Sequence, residues 1–260
     1  MIIISGDSFS KNNLPILIEP GESIQAPWKI WADQLPFDDK IINVSVAGIG
    51  NDLIIRNAID ALLKYSNVNR VIIALSQWVR FSIRGRFFNP QIFPRESDSA
   101  KDTLYGKRET NIYRKDIKTI ENLTGCEEPE IKDMFRTPLA IETMIDDTLR
   151  DIYILQQLCK QRGVRLHVFQ MLQPFAGWRG ESARKAVAKI MLSRDYFDII
   201  ENLNDIDLIG WPFTPLLGGY FFDESLISID RIGNGDSHPN KQGHIKLAEM
   251  FNDTFKEYKI

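Results

Sequence analysis

The sequence has few cysteines, no leader segment and no long apolar run. Two cysteines in 260 residues, Cys126 and Cys159, cannot build a disulfide framework or a Cys-rich zinc site, so we expect both to be buried free thiols. The apolar start, residues 1–4, is interrupted by Ser5-Gly6-Asp7-Ser8, which a signal peptide would not tolerate. No run approaches the ~20 apolar residues of a membrane span. These absences predict a protein that is cytoplasmic, or released by lysis, and that does not associate with a membrane.

Charge of one sign is also lacking. The chain carries 32 basic and 35 acidic residues, a net charge of −3, which argues against a dedicated nucleic-acid binder. Its composition, 43% hydrophobic and 26% charged, is typical of a globular protein. A chain of this length forms one large domain or two small ones. We expect a single domain over residues 1–260 with an irregular insertion at about 80–135, where periodicity is weak.

Short apolar runs alternate with helical patterns along the chain. The runs predict strands buried on both faces, at residues 1–4, 41–46, 71–75, 164–169 and 207–209. Apolar residues at helical spacing predict helices over residues 28–35, 53–63 and 141–162, and after Asn240. This alternation predicts an α/β fold, a three-layer α/β/α sandwich with a mostly parallel five-stranded sheet.

Residues that bear chemistry follow these strands. In parallel α/β folds, ligands bind at the carboxyl ends of the strands. Ser5-Gly6-Asp7-Ser8 follows the first strand, and a serine entering such a turn can expose Oγ beside a backbone N–H. Ala47-Gly48-Ile49-Gly50 follows the second strand, and a glycine there lets a ligand approach the backbone. Taken alone, each block is also ordinary turn material.

The chain has three histidines, and two of them lie near its C-terminus. His238 stands two residues after Asp236, so its imidazole can take a serine proton while a carboxylate orients it. His244 falls one turn into the last predicted helix, where partial burial is expected. His167 lies in an apolar strand and is expected in the core.

In this order, the three blocks resemble the SGNH hydrolase superfamily, also called GDSL-like esterases and lipases. The most specific piece is His238-Pro239-Asn240-Lys241-Gln242-Gly243-His244. The resemblance implies a flavodoxin-like fold with Ser8 as nucleophile and His238 as general base and acid. It also implies Gly48 and the Ser8 backbone as oxyanion donors, and no metal or organic cofactor.

The chain departs from the family pattern in two places. Gly235 stands where the family usually has its aspartate, so either Asp236 serves, or Asp223 or Asp230 replaces it, or the site is a Ser–His dyad. After the third strand the family usually has an asparagine that donates to the oxyanion, and this chain has Ser76-Gln77-Trp78 instead. The side chains that could compensate are those of Asn51, Gln77, Trp78 and Arg80.

The resemblance implies a serine hydrolase, an esterase or deacetylase, acting on a small-molecule or glycan ester such as a carbohydrate O-acetyl group. Acyl transfer is a close variant. Six aromatic residues near the expected active face either stack on sugars or pack in the core: Trp178, Trp211, Phe213, Tyr220, Phe221 and Phe222. The alternative is a catalytically weak or inactive module of the same fold that recognises a glycan or protein partner, with the basic residues of 80–135 as its surface. The Ser76-Gln77-Trp78 ending also resembles SGNH-like proteins of bacteria and their viruses.

Overall fold

The structure is a computed structural model. It describes residues 1–13, 15–19, 22–77, 80–83, 86–88, 117–134, 138–172, 207–209, 231–233 and 236–257.

A five-stranded parallel sheet forms the centre of the fold. Its strands are β1 (Ile2–Ser5), β4 (Ile41–Asn43), β5 (Arg70–Leu75), β8 (Arg165–Gln170) and β9 (Asp207–Ile209), in the spatial order β4-β1-β5-β8-β9. All four neighbouring pairs are parallel. The predicted α/β class and parallel five-stranded sheet are therefore confirmed. The strand predicted at residues 41–46 ends earlier, at Asn43, whose Oδ1 accepts a hydrogen bond from the Ser45 N–H at 3.0 Å.

Alternate residues of the strands point into two separate cores, one on each face of the sheet. One core joins sheet residues such as Ile3 and Ile73 to the helices α1 (Asn51–Lys64) and α3 (Pro138–Gln161). The other joins Ile4 and Ile72 to α4 (Lys241–Glu257) and to a 3₁₀ turn, Trp31–Gln34. Helices thus cover both faces, which gives the three-layer arrangement that the right-handed crossover rule favours.

The ends of the helices follow from local chemistry. Gly163 ends α3 with φ +64°, and the Val164 N–H donates to the Cys159 carbonyl at 2.9 Å, as in a Schellman cap. Asn240 caps α4, because its Oδ1 accepts from the Gly243 N–H at 3.1 Å. Among the described helices, none is long and apolar enough to cross a membrane.

The helix predicted over residues 28–35 is wrong. Only the short 3₁₀ turn forms there, because Pro36 excludes the preceding Leu35 from the helical region and leaves it extended at φ −64° and ψ 144°. Cys126 is partly exposed rather than buried, whereas Cys159 is buried, and both are free thiols.

The sequence analysis also missed three two-stranded hairpins. They are β2 (Pro15–Glu19) with β3 (Glu22–Gln25), β6 (Phe81–Ile83) with β7 (Arg86–Phe88), and β10 (Arg231–Gly233) with β11 (Asp236–Pro239). Within the stretch expected to be irregular, residues 117–124 are helical and α2 (Glu128–Met134) follows. These helices are too short to give a clear apolar period. Residues 89–116 lie outside the described part of the chain.

Candidate active site

A serine and a histidine that lie 230 residues apart in sequence meet in the folded chain. Ser8 follows β1 in a tight turn, in which the Ser10 N–H donates to the Asp7 carbonyl at 3.1 Å. His238 lies on β11, immediately before α4. The Ser8 Oγ and His238 Nε2 atoms are 2.7 Å apart. That is within the reach needed for a histidine to take a proton from a serine hydroxyl.

The imidazole of His238 is held by packing. Its ring stacks on the ring of Phe9 with centroids 4.5 Å apart and an interplanar angle of 28°. His238 is 5% exposed, whereas Ser8 is half-buried, so the histidine is fixed from behind while the serine remains accessible. Because stacking already fixes the orientation of the ring, little conformational freedom remains to be lost when the imidazole takes part in a reaction.

The other two histidines are also buried. His244 is 3% exposed, and its Nδ1 accepts a hydrogen bond from the Trp31 backbone N–H at 3.3 Å. Burial, helped by the nearby His238, lowers the pKa of His244 to about 4. His167 is fully buried, and its Nε2 accepts from Arg70 Nη1 at 3.0 Å. Burial, with the charges of Arg70 and Arg165, lowers the pKa of His167 to about 3.

The aspartate that precedes Ser8 is part of a buried network. Asp7 is fully buried, and its Oδ1 accepts from the Phe9 N–H at 3.0 Å. Its Oδ2 accepts from Ser76 Oγ at 2.8 Å and from Arg80 Nη1 at 2.7 Å. The network therefore ties the turn after β1 to the segment after β5 through an ion pair.

The block after the second strand lies against the turn that holds Ser8. The Val46 N–H donates to the Gly6 carbonyl at 3.1 Å, which fixes this block beside the first. Gly48 is exposed with φ +81°, and no atom lies within 4 Å of the position that a Cβ would take. A ligand can therefore reach its backbone. Asn51 begins α1, is buried, and accepts from the Ser76 N–H through Oδ1 at 2.8 Å.

Gln77 is fully buried, and its Oε1 accepts a hydrogen bond from Arg80 Nε at 3.1 Å. The side chain of Gln77 therefore does not face water. Trp78 lies outside the described residues, as do Asp223, Asp230 and the six aromatic residues of 178–222. The backbone of Asp236 is part of β11, but its side chain is also outside the described part.

Arg80 is the site residue that sequence reasoning placed wrongly. The sequence suggested either a member of an exposed basic surface or a direct donor to the oxyanion. The structure instead buries it, 5% exposed, with its guanidinium bound to Asp7 and Gln77. Its partner lies 73 residues earlier in the chain, so no local spacing marks it. The burial of Asp7, which requires a cation as partner, becomes visible only in the structure.

Within the ranges that the structure describes, no group of three or more His, Cys, Asp or Glu side chains is arranged to hold a metal ion. The chemistry that the described site offers consists of a hydroxyl, an imidazole, and backbone and side-chain amides.

No family model matches the chain, and no curated protein matches it. Solved structures do. A protein of Bacteroides fragilis described as an acylhydrolase covers 98% of this chain and 86% of its own length at 12% identity, with a TM-score of 0.45. TesA covers 98% of both chains at 14% identity, with a TM-score of 0.46. The psychrotrophic esterase EstA from Pseudoalteromonas sp. covers 99% of this chain and 97% of its own at 13% identity, with a TM-score of 0.45.

Proposed function

We propose that the chain is a serine hydrolase of the SGNH type that cleaves an ester through an acyl-serine intermediate. The observation that carries the proposal is the 2.7 Å contact between Ser8 Oγ and His238 Nε2. A half-buried serine paired with a packed imidazole is the arrangement that activates a hydroxyl as a nucleophile.

The reaction proceeds in two halves. Ser8 Oγ attacks the carbonyl carbon of the ester while His238 Nε2 takes its proton. The tetrahedral intermediate then expels the alcohol, which receives that proton from His238. A water molecule, deprotonated by the same imidazole, attacks the acyl-serine. The bond between the acyl carbon and Ser8 Oγ then breaks, Oγ takes the proton from His238, and the acid is released. In this proposal the Asp236 carboxylate accepts a hydrogen bond from Nδ1 of His238 and so fixes the orientation of the ring.

Charge on the carbonyl oxygen needs donors that are already in place. We assign the backbone N–H groups of Ser8 and Gly48, because Gly48 is exposed and open to a ligand. The amides of Asn51 and Gln77, with Trp78, are the side-chain candidates for the position where the family has asparagine. Asn51 is anchored to Ser76 and Gln77 to Arg80, so both would act from fixed positions.

The substrate in this proposal is a small acyl ester, with a carbohydrate O-acetyl group as the first class to test. A panel of activated acetyl, butyryl and octanoyl esters, followed by acetylated sugars, would establish acyl length and acceptor. Release of free acid distinguishes hydrolysis from transfer to another acceptor.

A fluorophosphonate probe tests the proposal directly, because it labels only activated serines. We expect one adduct on the wild-type protein, located at Ser8 by peptide mass spectrometry. Ser8→Ala should abolish the labelling and lower ester hydrolysis by about 10⁴-fold or more. Ser10→Ala is the matched control, since Ser10 lies on the same turn but is fully buried, and it should keep both. A folded wild-type protein without an adduct would instead favour the binding module of the same fold.

A further inference from the structure

The residue next to the proposed nucleophile carries a charge that has no access to water. Asp7 has an exposed fraction of 0%, yet its carboxylate accepts three hydrogen bonds, from Phe9, Ser76 and Arg80. Two of these donors belong to the segment that follows β5. Burying a carboxylate is costly unless it is paired and hydrogen-bonded, and here Arg80 supplies the pairing charge.

Arg80 itself is held at three points. Its Nη1 is 2.7 Å from Asp7 Oδ2, and its Nε is 3.1 Å from Gln77 Oε1. Its backbone packs on the start of α1 at Gly50, where a Cβ would lie 2.2 Å from the Arg80 carbonyl oxygen. Gly50 adopts φ −86° and ψ 174°, which any residue can adopt, so its lack of a side chain serves this close approach.

This placement bears on how Ser8 reacts. The attack of Ser8 on an ester creates a negative charge on the carbonyl oxygen close to the backbone of the Ser8 turn. A second negative charge one residue away, unpaired in a region from which water is excluded, would oppose that development. The ion pair cancels the Asp7 charge and also fixes the turn from which Ser8 projects.

We propose that Arg80 is a positioning residue that acts on Ser8 through Asp7. It neutralises the buried carboxylate and clamps the turn after β1 to the end of β5. The inference rests on the proposed serine-hydrolase function. Arg80 makes no contact with substrate in this proposal, because the residue is 5% exposed and its guanidinium is bonded to Asp7 and Gln77.

A charge-balance cycle tests this assignment with four proteins: wild type, Asp7→Asn, Arg80→Gln and the double variant. The readouts are kcat and KM for 4-nitrophenyl acetate and the rate of fluorophosphonate labelling, each per folded molecule. In the presence of Asp7, we expect Arg80→Gln to lower kcat and the labelling rate at least about tenfold with KM within about threefold. In the Asp7→Asn background the same substitution should cost less than about threefold, because no carboxylate remains to be neutralised.

Arg70→Gln is the matched control. Arg70 begins β5, at the end of the strand opposite to the segment that carries Arg80, and it contacts His167, so its loss removes an arginine without touching Asp7. We expect its kcat to equal that of the wild type. An equal loss from Arg80→Gln in both Asp7 backgrounds would overturn the proposal.

If Arg80→Gln does not fold, the double variant, which has neither charge, tests the proposal. Asp7→Asn/Arg80→Gln should fold and react with the probe within about thirtyfold of the wild type, and a greater loss in the folded double variant overturns the proposal. Labelling of the wild type at Ser8 separates this result from a failure of the proposed function. Without that label the hydrolase assignment itself falls, and the role of Arg80 falls with it.

Discussion

At the scale of single residues, Ser8 differs from the other serines of its turn in what it contacts. Ser5 is buried and donates to the Ile54 carbonyl at 2.6 Å, and Ser10 is buried beneath the turn. Ser8 alone of the three is half-buried and faces an imidazole. The same residue type therefore serves two structural roles and, in the proposed hydrolase, one reactive role within six positions, and the difference arises from the elements packed against each.

The identity of the carboxylate that orients His238 is also a prediction about a single residue. We expect Asp236→Asn to lower kcat for ester hydrolysis by up to about 10⁴-fold, because the wrong tautomer of the imidazole would then be favoured. Asp223→Asn and Asp230→Asn, measured in parallel on the same ester, should stay near the wild-type rate. If Asp236→Asn is the variant that retains activity, another aspartate orients the ring or the site works as a dyad.

At the scale of elements, the approach of α1 to the segment after β5 is set by one glycine. Gly50 lies immediately before α1, and its neighbour across the gap is backbone, the Arg80 carbonyl, rather than a flexible side chain. Backbone cannot move aside as a side-chain tip can. The position of Arg80, and with it the ion pair to Asp7, therefore depends on the absence of a Cβ at residue 50.

We expect Gly50→Ala to lower the free energy of unfolding by about 1–3 kcal/mol, the usual cost of overpacking. It should also slow the labelling of Ser8, because Arg80 would be displaced. Gly125→Ala is a suitable comparison: it costs roughly 1–2 kcal/mol from its positive φ of +75°, with open space around it. Denaturant unfolding and labelling rates measure both effects. Normal labelling of Ser8 in folded Gly50→Ala would show that the position of Arg80 does not depend on the missing Cβ at residue 50.

The elements also show what a sequence pattern can reveal. The five sheet strands could be predicted within a few residues, because each contains an apolar run, and strands such as β1 and β5 that are buried on both faces give continuous ones. The hairpin β2–β3 could not, because every residue of β3 is exposed and no buried face imposes alternation. Ser8 stands in a recognisable block next to such a strand, and His238 stands in one next to the last helix. Arg80 stands in a block that departs from the family pattern, and its burial depends on a partner distant in sequence.

At the scale of the whole molecule, the buried histidines His167 and His244 link folding to acidity. The pKa values of His167 and His244 are lowered to about 3 and about 4, chiefly by burial, whereas in an unfolded chain both titrate near 6.5. Between these values the unfolded state binds more protons than the folded state. The contribution of these two histidines to the free energy of unfolding is thus complete above about pH 6.5 and is lost as the pH falls.

We therefore expect the free energy of unfolding to fall between about pH 7.5 and pH 5, by roughly 2 kcal/mol for each of the two histidines. Urea unfolding at several pH values measures this slope. His167→Leu should flatten it by about half, since it removes one of the two groups. A slope unchanged in that variant would show that carboxylates, and not His167, govern the acid sensitivity.

The distance in sequence between Ser8 and His238 also determines when the pair can form during synthesis of the chain. Chains are synthesised from the amino end at ~5–20 residues per second, so the 230 residues that separate the pair take roughly 10–50 s to add. Throughout that interval the growing chain holds its serine without its base. In the proposed hydrolase, the hydroxyl would become a nucleophile only when β11 and α4 dock, so a nascent or prematurely terminated chain carries no esterase activity into the cell.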